Sequence, residues 1–166
     1  MFKVYTALEN FIITSENKKY IKLFLGGGIS NCTDWQTVVI ENIIKYENLI
    51  IFNPRRPNFP IDNPEESEKQ IVWEFEHLKI SNFLVFWFAK ETLNPITLYE
   101  LGKWGNSSST KLIIGVDPEY KKKNDVIIQT KLSRPEITVN LIFEDFISNI
   151  NNEISLLYAK SYNNFI

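Results

Sequence analysis

The sequence predicts one α/β domain spanning residues 1–166, in which a mainly parallel five-stranded sheet carries helices on both faces. Three observations lead there. The segments "IKLFLGGG", "NLIIFNPRR", "NFLVFWF" and "KLIIGVD" carry short apolar runs, and "NFLVFWF" is continuous where one-sided strands alternate, the mark of a strand covered on both sides. Longer segments with apolar residues at helical spacing alternate with them, the pattern of a parallel sheet. Two of the helical segments open on Asn-Pro, at Asn63-Pro64 and Asn94-Pro95, where the amide can cap and the proline suits the first turn.

The elements follow in chain order. Residues 1–20, with "KVYTAL" and "FIIT", read as an added hairpin or edge strand. "IKLFLGGG" is the first buried strand and ends in a glycine turn; "TDWQTVVIENIIKYE" is the first helix, capped by Thr33 or Asp34. "NLIIFNPRR" is the second strand, stopped by Pro54. "NPEESEKQIVWEFEHLKIS" is the second helix, its early acids favoured by the helix dipole. Its expected buried stripe is Ile71, Val72, Phe75 and Leu78, with Glu74 at the stripe's edge and His77 on the surface. "NFLVFWF", "PITLYELGKWG" and "KLIIGVD" continue as strand, helix and strand. "EITVNLI" reads as a fifth strand and residues 141–166 as a closing helix.

Composition excludes several function classes. With 18 basic and 20 acidic residues, and a formal charge of −2, the chain offers no electrostatic footprint for nucleic acid or an acidic membrane. One cysteine, Cys32, allows no internal disulfide, and one histidine, His77, gives no zinc-ligand spacing. No metal or other cofactor is expected. No leader pattern and no run of about 18 apolar residues occurs, so a cytoplasmic protein without a membrane partner is expected.

In such a sheet, ligands bind beyond the carboxyl ends of the strands, which brings the loops at residues 26–31, 53–56, 89–94 and 117–124 to one mouth. "FLGGGIS" is neither G-x-G-x-x-G nor a P-loop, and leaves open both a tight turn and a close approach of ligand to backbone. Arg55 and Arg56 can fork onto a phosphate or carboxylate, or satisfy the acids of "DNPEESE". Glu100 is the sharpest signal. It lies in the second turn of a helix whose neighbours are Ile96, Leu98, Tyr99, Leu101 and Trp104, where desolvation disfavours a charged carboxylate. Paired with Glu74, it would make the two carboxylates that displacement at a sugar carbon requires; unpaired, Glu74 is an ordinary surface acid.

The order "LFLGGGISN…DWQ", "IFNPRRPNFP", "QIVWEFEHLKISNFLVFWF", "NPITLYELG" and "GVDPEYKKKNDV" resembles the nucleoside 2-deoxyribosyltransferase superfamily, in particular its short nucleoside 2-deoxyribosyltransferase-like branch, over about Lys22 to Val126. The resemblance implies a flavodoxin-like (Rossmann-like) three-layer sandwich and cleavage of N-glycosidic bonds in deoxynucleosides or their monophosphates. It makes Glu100 of "YELG" the nucleophile and Glu74 the acid that assists the leaving base. It sets Gly26, Gly27 and Gly28 beneath the sugar; Asn53, Arg55, Arg56 and Asn94, placed at the same mouth by the strand ends, complete the expected substrate-binding set. Asn124 matches an asparagine that reaches a neighbouring subunit's site, which implies a homo-oligomer.

Two positions depart from the family pattern, Asn82 and Asn94 standing where acids are common. The sequence therefore supports a transferase or hydrolase acting through a glycosyl-glutamate intermediate, with a small nucleoside or nucleotide as partner and no nucleic acid or membrane. The alternative is a binding module that sequesters a nucleotide or ADP-ribose-like ligand without turning it over.

Overall fold

A computed structural model describes residues 2–57 and 63–163, with side chains described as far as residue 159. The sheet has five strands, all parallel, in the order β1-β3-β2-β4-β5: β1 Phe2–Thr6, β2 Ile21–Gly27, β3 Leu49–Asn53, β4 Phe83–Phe88 and β5 Lys111–Val116. Five α-helices cover it, α1 Trp35–Ile43, α2 Pro64–Ile80, α3 Pro95–Trp104, α4 Lys123–Ser133 and α5 Phe143–Asn163. The central strands are buried on both faces, which is why they read as unbroken apolar runs.

Period-two alternation sorts those runs into two cores. Leu23, Leu25, Leu49, Ile51, Phe83, Val85 and Trp87 face Trp35, Val39 and Ile43 of α1 and Phe146, Ile150 and Ile154 of α5. Phe24, Ile50, Phe52, Leu84, Phe86 and Phe88 face the other way, onto Trp73 and Leu78 of α2, Leu98 and Leu101 of α3 and Val126 of α4. The result is the three-layer, flavodoxin-like sandwich. Setting the edge strand β1 aside, the order of the remaining strands is second-first-third-fourth, and the chain reverses its winding direction between β2 and β4.

Several expectations are corrected by the structure. Of the two N-terminal alternatives, the edge strand is the one found: β1 runs parallel to β3 from Phe2↔Leu49 to Thr6↔Asn53, while "FIIT" forms no strand. "EITVNLI" contributes a single bridge, Gly115↔Asn140, because only Asn140 reaches the β5 edge, its N–H and side-chain amide both donating to Ile114 O at 2.9 Å. Helix α4 was not foreseen; only Val126 and Thr130 are buried along it, while Ile128 and Leu132 are exposed, so it lacks a helical stripe.

Helix α2 is rotated from the expected setting. Gln70, Trp73, His77 and Leu78 are its buried residues, and Ile71, Val72 and Phe75 are exposed. Trp73 decides this, wedging against Phe24 and Phe52 and donating its indole N–H to Glu9 O. His77 is consequently buried, stacked on Trp73 at 4.1 Å with Nδ1 at 2.6 Å from Trp73 O. The "NFP" end of "IFNPRRPNFP" lies outside the described residues.

Candidate active site

The reversal between β2 and β4 opens a cavity of about 360 Å³. Gly27 at the end of β2 and Gly28, Ile29 and Ser30 just past it form one wall; Thr92 and Asn94, past β4, form another; Gln70, Ile71 and Glu74 of α2 and Ile96, Thr97 and Glu100 of α3 close it. Both candidate carboxylates thus line one space, although 26 positions separate them in sequence.

Glu100 reaches the cavity because α3 turns Thr97 and Glu100, three apart, inward as its buried residues. Leu98 and Leu101 pack toward the sheet, while Ile96 and Tyr99 are left exposed. Glu100 is 9% exposed, and burial together with the charge of Glu74 pushes its carboxyl pKa up to about 8. Glu74 is half-buried; burial raises its pKa too, and a hydrogen bond from Gln70 Nε2 to its Oε1, 2.7 Å, works in the opposite direction. Gln70 also donates Nε2 to Pro54 O at 2.8 Å, linking the acid to the loop after β3. The pair therefore resists carrying two charges at neutral pH, the condition under which one carboxyl keeps a proton and the other can act as nucleophile or base.

Asn94 stands at the N-cap of α3 in the left-handed conformation (φ 45°, ψ 51°), which asparagine tolerates. Its side chain does not cap the helix as expected. Nδ2 donates instead to Ala89 O at 3.2 Å and Thr92 O at 3.1 Å, two acceptors that a carboxylate could not satisfy. Asn82 is similarly committed, its Oδ1 accepting Lys22 N at 2.8 Å. The two carbonyls it donates to account for an amide at Asn94, whereas the bond that Asn82 accepts is one a carboxylate would accept equally.

The three glycines answer to packing. No glycine has a positive φ; a Cβ on Gly27 would lie 2.6 Å from both Trp35 and the Trp87 carbonyl, and one on Gly28 would lie 2.5 Å from Asn94 Oδ1. Gly26 makes room for the Phe86 ring and does not line the cavity.

Asn53, Arg55 and Arg56 line a neighbouring alcove that shares Ile29 and Ser30 with the main cavity. Asn53 accepts Arg55 N at 3.0 Å, and Arg56 pairs with Glu66 at 2.9 Å. Asn124, in the first turn of α4, is exposed and lines neither space. Sequence reasoning missed Gln70, whose signal was its position four residues before Glu74, and Gln36, fully buried in "DWQ". Among the described residues, no helix is long and apolar enough to cross a membrane, and no group of three or more His, Cys, Asp or Glu side chains could hold a metal ion.

A parallel sheet whose switch-point cavity is lined by two carboxylates, one raising the pKa of the other, defines a Rossmann-like domain with an acidic cleft at the carboxyl ends of its strands. More specifically, the chain belongs to the nucleoside 2-deoxyribosyltransferase-like family, whose model matches residues 20–120. The match takes in Gly26 to Gly28, Arg55, Glu74, Asn94 and Glu100 and stops before Asn124. No curated protein matches the chain significantly.

Proposed function

We propose that the protein cleaves or transfers at the N-glycosidic bond of a deoxynucleoside or its monophosphate. The observation that carries this reading is the meeting of Glu74 and Glu100 in one switch-point cavity of a chain from this family. In the first step, ionised Glu100 attacks the anomeric carbon through an oxocarbenium-like transition state. The glycosidic bond breaks with its electron pair going to the base, and Glu74 gives the base a proton. In the second, another base or a water attacks the glycosyl ester, Glu74 takes up its proton, and Glu100 leaves as carboxylate.

Gly27, Gly28 and Asn94 border the space in which the sugar would lie, and Ser30 opens toward the Arg56 alcove, the natural direction for a 5′-phosphate. Ile71 and Ile96 are exposed where they line the cavity, and these apolar side chains, with exposed Asn124, support a homo-oligomer in which a second copy completes the site. The second reading, a non-catalytic nucleotide binder, is favoured by Asn82 and Asn94, which hold loop and strand backbone where acids are common in the family.

The test is chromatography of deoxynucleosides and deoxynucleoside monophosphates incubated with protein, with and without an acceptor base, alongside Glu100→Ala. Base release or exchange that disappears in the variant supports glycosidic chemistry. Saturable binding with no turnover of any substrate establishes the binder and refutes the enzyme.

A further inference from the structure

The glycine wall of the cavity is held from behind by an arrangement that its backbone alone cannot supply. Gly28 lies past the end of β2 and has no side chain, yet its carbonyl oxygen accepts from three residues: Gln36 Nε2 at 3.1 Å, Arg55 Nη2 at 3.1 Å and Trp35 Nε1 at 3.3 Å. Gln36 has no exposed surface, and a buried amide is tolerated only when both ends are bonded. Its other end is Oε1, which receives Arg55 Nε at 2.9 Å. Because arginine only donates and a carbonyl only accepts, the chemistry itself fixes which way the amide faces.

Arg55 is committed further. Nη2 also donates to Thr33 O at 3.0 Å, and Nε lies 3.1 Å from Oδ1 of Asp34, the N-cap of α1. One guanidinium thus ties the end of β3, the turn after β2 and the start of α1. On the far side of that turn, Asn94 sits against Gly28 and leads into the helix that carries Glu100.

We propose that Gln36 is a positioning residue which, with Trp35 and Arg55, fixes the Gly28 peptide and so the wall of the Glu74–Glu100 cavity, and that Arg55 serves this clamp and is not a substrate ligand. The proposal rests on the glycosidic reading for its kinetic consequence, but the clamp has a readout of its own. Cys32, half-buried in the same turn, is the single cysteine of the chain, and Gln36 makes no hydrogen bond to it, so its labelling rate by a thiol reagent reports how firmly the turn is held.

Gln36→Met keeps the volume and removes both hydrogen bonds. Cys32 labelling should accelerate about five- to tenfold, the equivalent of losing one net hydrogen bond. KM should rise by one common factor for nucleoside and monophosphate with kcat moving less, and Arg55→Ala should likewise affect both substrates equally. Unchanged labelling in Gln36→Met overturns the clamp, as does an Arg55→Ala protein impaired toward the monophosphate alone. Should Gln36→Met not fold, Gln36→Glu, which keeps the volume and the acceptor for Arg55 but cannot donate to Gly28 O, carries the same measurements; Arg55 variants are left out of the labelling arm because Arg55 Nη2 donates to Cys32 Sγ at 3.5 Å. If wild-type protein turns over neither substrate, the glycosidic reading fails while the labelling result still decides the clamp.

Discussion

Replacing Glu100 by glutamine should stabilise the protein increasingly as pH rises. Burial, with Glu74 alongside, lifts Glu100 from 4.5 to about 8. Between those values the folded chain holds a proton that the unfolded chain has released, so stability falls as pH rises through the interval and levels off above it. At about 1.36 kcal/mol per pH unit the interval sets a ceiling of about 5 kcal/mol, of which about 3 is already lost at pH 7. Water entry and side-chain relaxation shrink the cost of a buried charge, which brings the expected advantage of Glu100→Gln at pH 7 to about 1–3 kcal/mol. Urea unfolding of both proteins at pH 5, 7 and 9 measures it. His77, whose pKa burial lowers, is present in both and cancels in the difference. A small difference at pH 5 that grows toward pH 9 is expected; a difference that does not change with pH, or a variant less stable than wild type at pH 9, would refute the assignment of a buried, proton-holding Glu100.

Three further outcomes are expected. If the pair reacts with one proton between its two carboxyls, Glu100 as the anion and Glu74 as the acid, kcat/KM should fall about tenfold per pH unit above the pKa near 8 as that proton is lost, and a profile that keeps rising above pH 8 would remove the two acids from those roles. Gln70→Leu takes away the hydrogen bond that opposes the upward shift of Glu74, so the pKa assigned to Glu74 by carboxyl NMR should rise further; no movement would mean that the Gln70 contact is not made in solution. Gly27→Ala forces a methyl against Trp35 and the Trp87 carbonyl and should cost about 1–3 kcal/mol of thermal or urea stability, whereas Gly102→Ala, with open space at its Cβ inside α3, should be neutral or stabilising.

Much of this molecule could be read before its structure. The four buried strands were legible because burial on both faces makes their runs densely apolar, and the starts of α1 and α2 because Asp34 and Asn63 accept hydrogen bonds from the first-turn N–H groups. Glu100 was legible as an acid among apolar neighbours. The rotation of α2 was not: its apolar residues Ile71, Val72 and Phe75 match a stripe as well as Trp73 does, and only the fit of one indole between Phe24 and Phe52 selects the face. Helix α4 carried too few buried residues to announce itself. The strand expected at residues 136–142 had the composition of a strand but only Asn140 in reach of an edge.

The sequence by itself determined the layers, the family and the two acids, because these follow from local periodicity and from motifs written in consecutive residues. Which residues share a cavity was decided by tertiary structure alone. Strand order brings the loop after β2 beside the loop after β4, and helix rotation turns Glu74 and Glu100 toward the space between them. The same packing sends Arg55 onto the Gly28 carbonyl, and assigns Asn94 to two loop carbonyls. Contacts of that kind depend on distances between residues far apart in the chain, and no periodicity within a segment encodes them.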